Sequence, residues 1–198
     1  MHANDYAAAV KALEHAAALD PTLPDINFHI AYACRVLGKF EPAEQYLKRQ
    51  LALDPRHVEA LANLGYLEVE QGRYQEAEEN LGRALTLQPD NVAANFDLGR
   101  MYFKLKDYER AAQYLRHAVE LQPDHSQAYY QLFLIYSRTG KSDLAQATLA
   151  EFKKLEALDE RVKVEQDRLR KMRHASASES AGGGRTTGGE AARTAPMR

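Results

Sequence analysis

The chain has 198 residues, with 26 Lys and Arg against 28 Asp and Glu, for a formal net charge of −2. That balance supplies no basic face for wrapping phosphate-rich polymers, so nucleic acid is not an expected partner. The single cysteine, Cys34, excludes an internal disulfide framework and reads as a small buried hydrophobe on a helix.

Residues 3–21 form one predicted helix, striped by Tyr6, Ala9, Leu13, Ala16 and Leu19 and closed by Asp20-Pro21. The residue before a proline is pushed out of the helical region, and proline cannot continue a helix. The same closing step returns at Pro55, Pro89 and Pro123, each 34 residues after the last. Other positions keep this phase. Ala9, Ala43, Ala77 and Ala111 stand twelve before each proline; Leu13, Leu47, Leu81 and Leu115 stand eight before. Four aromatics, Tyr6, Phe40, Tyr74 and Tyr108, stand fifteen before. The chain is an internal repeat, and its units share a core with their neighbours.

Residues 22–55, 56–89 and 90–123 are each a pair of helices. In the second pair Ala60, Leu61, Leu64, Leu67 and Glu68 share one side of the first helix, and Tyr74, Ala77, Leu81, Ala84 and Leu85 stripe the next. Gly72 between them suits a left-handed backbone site that ends the first helix. Gly38 and Gly140 match it; in the third copy Lys106 stands there, where Lys-Asp can still make a tight turn. Ala31, Gly65 and Gly99 fall at one equivalent site inside the first helices. A mid-helix glycine costs about 1 kcal/mol relative to alanine, so close helix approach is its expected compensation.

Residues 124–157 form a drifting fourth pair, with Ser142 in place of the aromatic and no closing proline. Leu158, Val162, Leu169 and Met172 then stripe an expected capping helix over 158–173, with a free coiled-coil dimer helix as the competing reading. Residues 174–198 are small, polar and glycine-rich, the composition of a disordered tail.

This pattern resembles the tetratricopeptide repeat family. The residues that carry the resemblance are Leu64-Gly65, Ala77, Leu81, Ala84 and Pro89, then Leu98-Gly99, Tyr102, Ala111, Leu115, Ala118 and Pro123. Weaker copies hold Ile30-Ala31, Ala43, Leu47 and Pro55, and Leu132, Tyr136, Gly140, Ala145 and Leu149. The family's early tryptophan is missing; Asn27, Leu61, Asn95 and Tyr129 occupy its place. The resemblance implies an all-α, right-handed solenoid of antiparallel helix pairs, with first helices lining a concave groove. It also implies a non-catalytic scaffold that binds a protein or peptide segment, the alternative being a structural or self-associating spacer.

The groove expected from this geometry is lined by Phe28, His29 and Tyr32, then Asn63 and Tyr66, then Phe96, Asp97, Arg100 and Phe103, and finally Tyr130, Gln131 and Arg138. Asn63 can donate and accept at once, as holding an extended peptide backbone requires. Its repeat equivalents are His29, Asp97 and Gln131. Chaperone-tail-binding members of the family carry a clamp of basic and amide residues. Its sites fall here on Phe28, Tyr32, Ala93 and Asp97, and only Asn63 matches, which argues against that class of client.

No catalytic, metal or cofactor site is expected. The seven histidines form no HExxH pattern, and neither GxGxxG nor GxxxxGK[ST] occurs. No signal peptide or apolar membrane span is legible, which favours a cytoplasmic location and no membrane insertion. The first helix lacks a partner on its outer flank, and a weak homodimer through it is one expected consequence.

Overall fold

A computed structural model describes residues 3–21 and 23–182, with side chains described for 5–21 and 23–172. These hold nine helices and no strand: α1 (Ala3–Leu19), α2 (Ile26–Val36), α3 (Phe40–Leu53), α4 (Val58–Glu70), α5 (Tyr74–Leu87), α6 (Val92–Lys104), α7 (Tyr108–Leu121), α8 (Ser126–Arg138) and α9 (Ser142–Gly182). The chain divides into two units, Met1–Phe152 and Lys153–Arg198.

In the first unit, α2, α4, α6 and α8 are the first helices of successive pairs. The turns between paired helices take the positive φ that the spacing calls for, at Gly38, Gly72 and Gly140 (71°, 75° and 72°). Lys106 adopts φ 64° at the same position and keeps the turn despite its side chain. Side-chain caps open three first helices: His57, Asn91 and His125 accept from the N–H of Ala60, Ala94 and Ala128 at 3.1, 2.9 and 3.3 Å.

The core runs continuously between pairs. Leu47, Leu81 and Leu115 are at most 1% exposed, and the alanines of the repeat, Ala43, Ala77 and Ala111, are fully buried. A β-carbon on Gly65 would lie 2.5 Å from Leu81 Cγ, and one on Gly99 the same distance from Leu115 Cγ. The glycines are therefore sockets for the leucines sixteen residues on. In the fourth pair Phe133 stands where the glycine would be, and its leucine, Leu149, is only half-buried. The drift seen in sequence is a loosening of this socket.

Among the described residues of this unit α2 packs on α4, α4 on α6, and α6 on α8, whereas the backbones of α3, α5 and α7 lie close only to first helices, and these helices meet other second helices through side chains, Tyr46 with Glu14 of α1 and Arg110 with Glu78. The stack is thus shorter along its first helices, and that side is concave. In α1 the buried residue is Val10, with Tyr6, Leu13, Ala16 and Ala17 half-buried against α2 and α3, while Leu19 is 75% exposed. The buried stripe is rotated from the expected one, which omitted Val10 and included Leu19.

In the second unit the backbone differs from expectation in two ways. No separate capping helix begins at 158, because α9 runs unbroken from Ser142 to Gly182. Leu158, Val162, Leu169 and Met172 are 45–57% exposed rather than buried. The expected tail from 174 is helical as far as Gly182; residues 183–198 lie outside the described residues.

Candidate functional site

The concave face is built from one side of α2, α4, α6 and α8, so each residue on it has an equivalent 34 positions away. One such series, His29, Asn63, Asp97 and Gln131, meets four different environments. His29 is exposed, beside Phe28 at 5.6 Å between ring centroids. Asn63 Nδ2 donates one of its two N–H bonds to the Glu59 carbonyl of its own helix at 2.8 Å, leaving a second N–H and the amide oxygen. Gln131 is half-buried, with its Oε1 enclosed and lacking a hydrogen-bond partner.

Asp97 is not a surface group; it is 6% exposed. Burial pushes its carboxyl up to about 6, while Arg100, donating through Nη1 at 3.0 Å, pulls it back down in part. Arg100 also pairs with Glu70 of the preceding first helix, and Lys104 lies 3.9 Å from the same carboxylate. The middle of the concave face is therefore a closed ion-pair lattice that ties α4 to α6. Charge there is matched.

Aromatic rings fill the spaces between arginines. Tyr66 lies under two guanidiniums, Arg35 at 5.3 Å and Arg100 at 5.8 Å. Arg35 also covers Tyr32 at 5.2 Å, Arg100 covers Phe96 at 5.6 Å, and Arg138 covers Phe103 at 4.7 Å. Phe28 and Phe96 are half-buried against the capping histidines of the next first helix, His57 at 5.0 Å and His125 at 4.4 Å. Burial also holds the His125 ring below its ordinary pKa, which keeps neutral the nitrogen that caps α8. Phe28, Tyr66, Phe96 and Phe103 are all half-buried. Tyr32 and Tyr130, 42% and 41% exposed, stand open at the two ends of the face. Tyr130 rests on Phe152 at 5.1 Å.

The arginines differ in how they are satisfied. Arg100 has two carboxylates. Arg35 and Arg138 have none within ion-pair distance among the described residues: Arg35 Nε is enclosed without a hydrogen-bond partner, and Arg138 has only a 3.5 Å contact to the Tyr108 hydroxyl. Tyr108 and Phe152 were legible in sequence only as stripe residues of the second helices, and nothing in the repeat phase marks them as groove neighbours. Among the described residues no group of three or more His, Cys, Asp or Glu side chains could hold a metal ion. No described helix is long and apolar enough to cross a membrane.

Two tetratricopeptide repeat models match the sequence, one over residues 62–126 and the other over 1–67 and 103–164. The chain belongs to the tetratricopeptide repeat family. Its helix pairs are tetratricopeptide repeats, a fold typical of protein-interaction scaffolds. Solved structures agree on the fold. A crystal structure of MamA shares 22% identity at TM-score 0.69, covering 80% of this chain and 92% of that one. MamA from Desulfovibrio magneticus RS-1 shares 21% at TM-score 0.63, covering 78% and 86%. The pilF protein of Pseudomonas aeruginosa shares 22% at TM-score 0.69, covering 76% and 69%. No curated protein sequence matches the chain.

Proposed function

We propose that the chain is a non-catalytic scaffold whose concave face holds an extended, carboxylate-bearing segment of a protein partner. The observation that carries this reading is the pair of guanidiniums, Arg35 and Arg138, stacked on rings yet lacking carboxylates of their own. A guanidinium over an aromatic ring can still offer its terminal Nη donors to a carboxylate, in a bidentate geometry. The ion pairs at Arg100 tie α4 to α6, which limits the ordering cost that falls on the protein when a segment docks. Tyr32 and Tyr130 offer open rings of the kind that dominate binding energy at interfaces.

Spacing bounds the length of the segment. Neighbouring helices pack about 8–10 Å apart, so the three steps from α2 to α8 cover roughly 25–30 Å. An extended chain advances about 3.3 Å per residue, which makes a segment of about eight or nine residues sufficient to reach from Arg35 to Arg138.

Selection from a random displayed peptide library on the intact chain tests the proposal. Selected sequences should be enriched in Asp and Glu, and should lose at least tenfold in affinity for Arg35→Ala plus Arg138→Ala. Circular dichroism should show that this variant keeps its helical signal. Peptides without acidic bias, or binding that survives the double substitution, would overturn the reading.

A further inference from the structure

The second unit presents a helix whose apolar residues face solvent, and their spacing is that of a coiled-coil seam. Leu155, Leu158, Val162, Leu169 and Met172 follow one another at intervals of 3, 4, 7 and 3, and Glu165 occupies the remaining site of the 3-4 alternation. Five of six seam positions over 155–172 are apolar. Leu155 is half-buried, and Leu158, Val162, Leu169 and Met172 are 55%, 45%, 48% and 57% exposed. A repeat of 3.5 residues drifts off one face of an isolated helix, and is held in line only by supercoiling with another helix. Charges on the same helix pair locally: Lys163 with Asp159 at 2.7 Å, and Arg168 with Glu165, the one polar seam site, at 3.6 Å. Residues after Gly182 carry no apolar periodicity that could cover the stripe.

From this arrangement we infer that residues 155–172 pair with the same helix of a second copy of the chain, in parallel and in register. The layering of the seam decides the direction. In a parallel pair the one polar site is confined to a single layer and the other five layers set apolar against apolar. An antiparallel pair would set Glu165 against Val162 twice. The seam has one polar site, Glu165, which would meet its own equivalent across the axis. A single polar residue in a seam fixes register at a cost in stability, and the pairing is accordingly weak. Val164 is 61% exposed but lies off the seam and takes no part. This pairing is independent of the groove, since it uses no residue of the first unit.

Sedimentation equilibrium of the full chain over a wide concentration range is the test, with substitutions at exposed positions that leave the solenoid core untouched. The intact chain should move between one and two chain masses as concentration rises. Glu165→Leu should tighten the dimer at least tenfold, and Leu158→Asp with Val162→Asp should be monomeric throughout with the same helical signal. Met172→Cys should give a disulfide-linked dimer on oxidation, because that site meets its equivalent only in a parallel pair. A chain that stays monomeric even as Glu165→Leu would overturn the inference. So would a dimer that survives the Leu158 and Val162 charges but is lost on Leu19→Asp, which would place the contact on α1.

Discussion

Leu115 in α7 and Leu169 in α9 are both leucines of an apolar stripe on a helix, yet one is fully buried and the other 48% exposed. The difference lies in what stands opposite. Leu115 fits the space left by Gly99 on the neighbouring helix, whereas no described neighbour receives Leu169. Burial in this architecture therefore belongs to a pair of repeat positions rather than to a helix, and an amphipathic pattern alone does not create it. The two ends of the chain make the same point. In α1, Val10 is buried because α2 and α3 are there to meet it, while Leu19, on the same helix, meets nothing.

The widest way to break that comparison is to truncate both leucines. Leu115→Ala should lose about 2–5 kcal/mol, the range for deleting a fully buried leucine. Leu169→Ala, measured at high dilution, should stay within about 0.5 kcal/mol. Urea denaturation of the two variants reads both values, and equal losses would contradict the account.

Buried charge extends the contrast from apolar groups to Asp97. Its carboxyl is raised from an ordinary value of 3.8 to about 6, chiefly by burial. The folded state thus favours the protonated acid. Stability from this group is fully present below about pH 4 and is lost as pH rises through about 6. The loss amounts to at most about 3 kcal/mol, since each tenfold change in proton affinity corresponds to about 1.4 kcal/mol. Asp97→Asn should remove that part of the pH slope and leave Arg100 paired with Glu70. A carboxyl titration near 6 in the nuclear magnetic resonance spectrum of the intact chain, absent in the variant, is the direct check.

The smallest effects separate two glycines on helices. Gly99→Ala places a β-carbon 2.5 Å from Leu115 Cγ and 3.3 Å from the Ala111 carbonyl. It should destabilise by about 1–2 kcal/mol, overpacking outweighing the gain in helix propensity. Gly82→Ala meets nothing within 4 Å and should stabilise by up to about 1 kcal/mol. Thermal melts of the two would separate the socket from the propensity, and two shifts of the same sign would refute the socket.

Much of the solenoid was legible in the sequence because its determinants are periodic. The prolines, the socket glycines and the left-handed turns at Gly38, Gly72, Gly140 and Lys106 each answer to one backbone requirement that recurs with every pair. What escaped is aperiodic. The pairing of Arg100 with Glu70 and the enclosure of Asp97 depend on side chains that differ from copy to copy, so no phase announces them. For Asn63, one N–H of the amide returns to the Glu59 carbonyl, a rotamer choice that sequence does not encode. The break expected at 158 followed the 34-residue period. Ala157 and Leu158 contain no breaker, however, and helix propagation continues wherever nothing stops it. Alanines among residues 174–182 carry it further than a Ser/Ala-rich composition suggested.

Central to the account is that the first helices, and not the second, receive the partner. Backbone and side-chain chemical-shift mapping of the intact chain, titrated with an acidic peptide selected on it, tests this most directly. The account predicts shifts concentrated on Tyr32, Arg35, Tyr66, Phe103, Tyr130 and Arg138, with α3, α5 and α7 unmoved. Shifts confined to those second helices, or to the exposed stripe of α9, would contradict it.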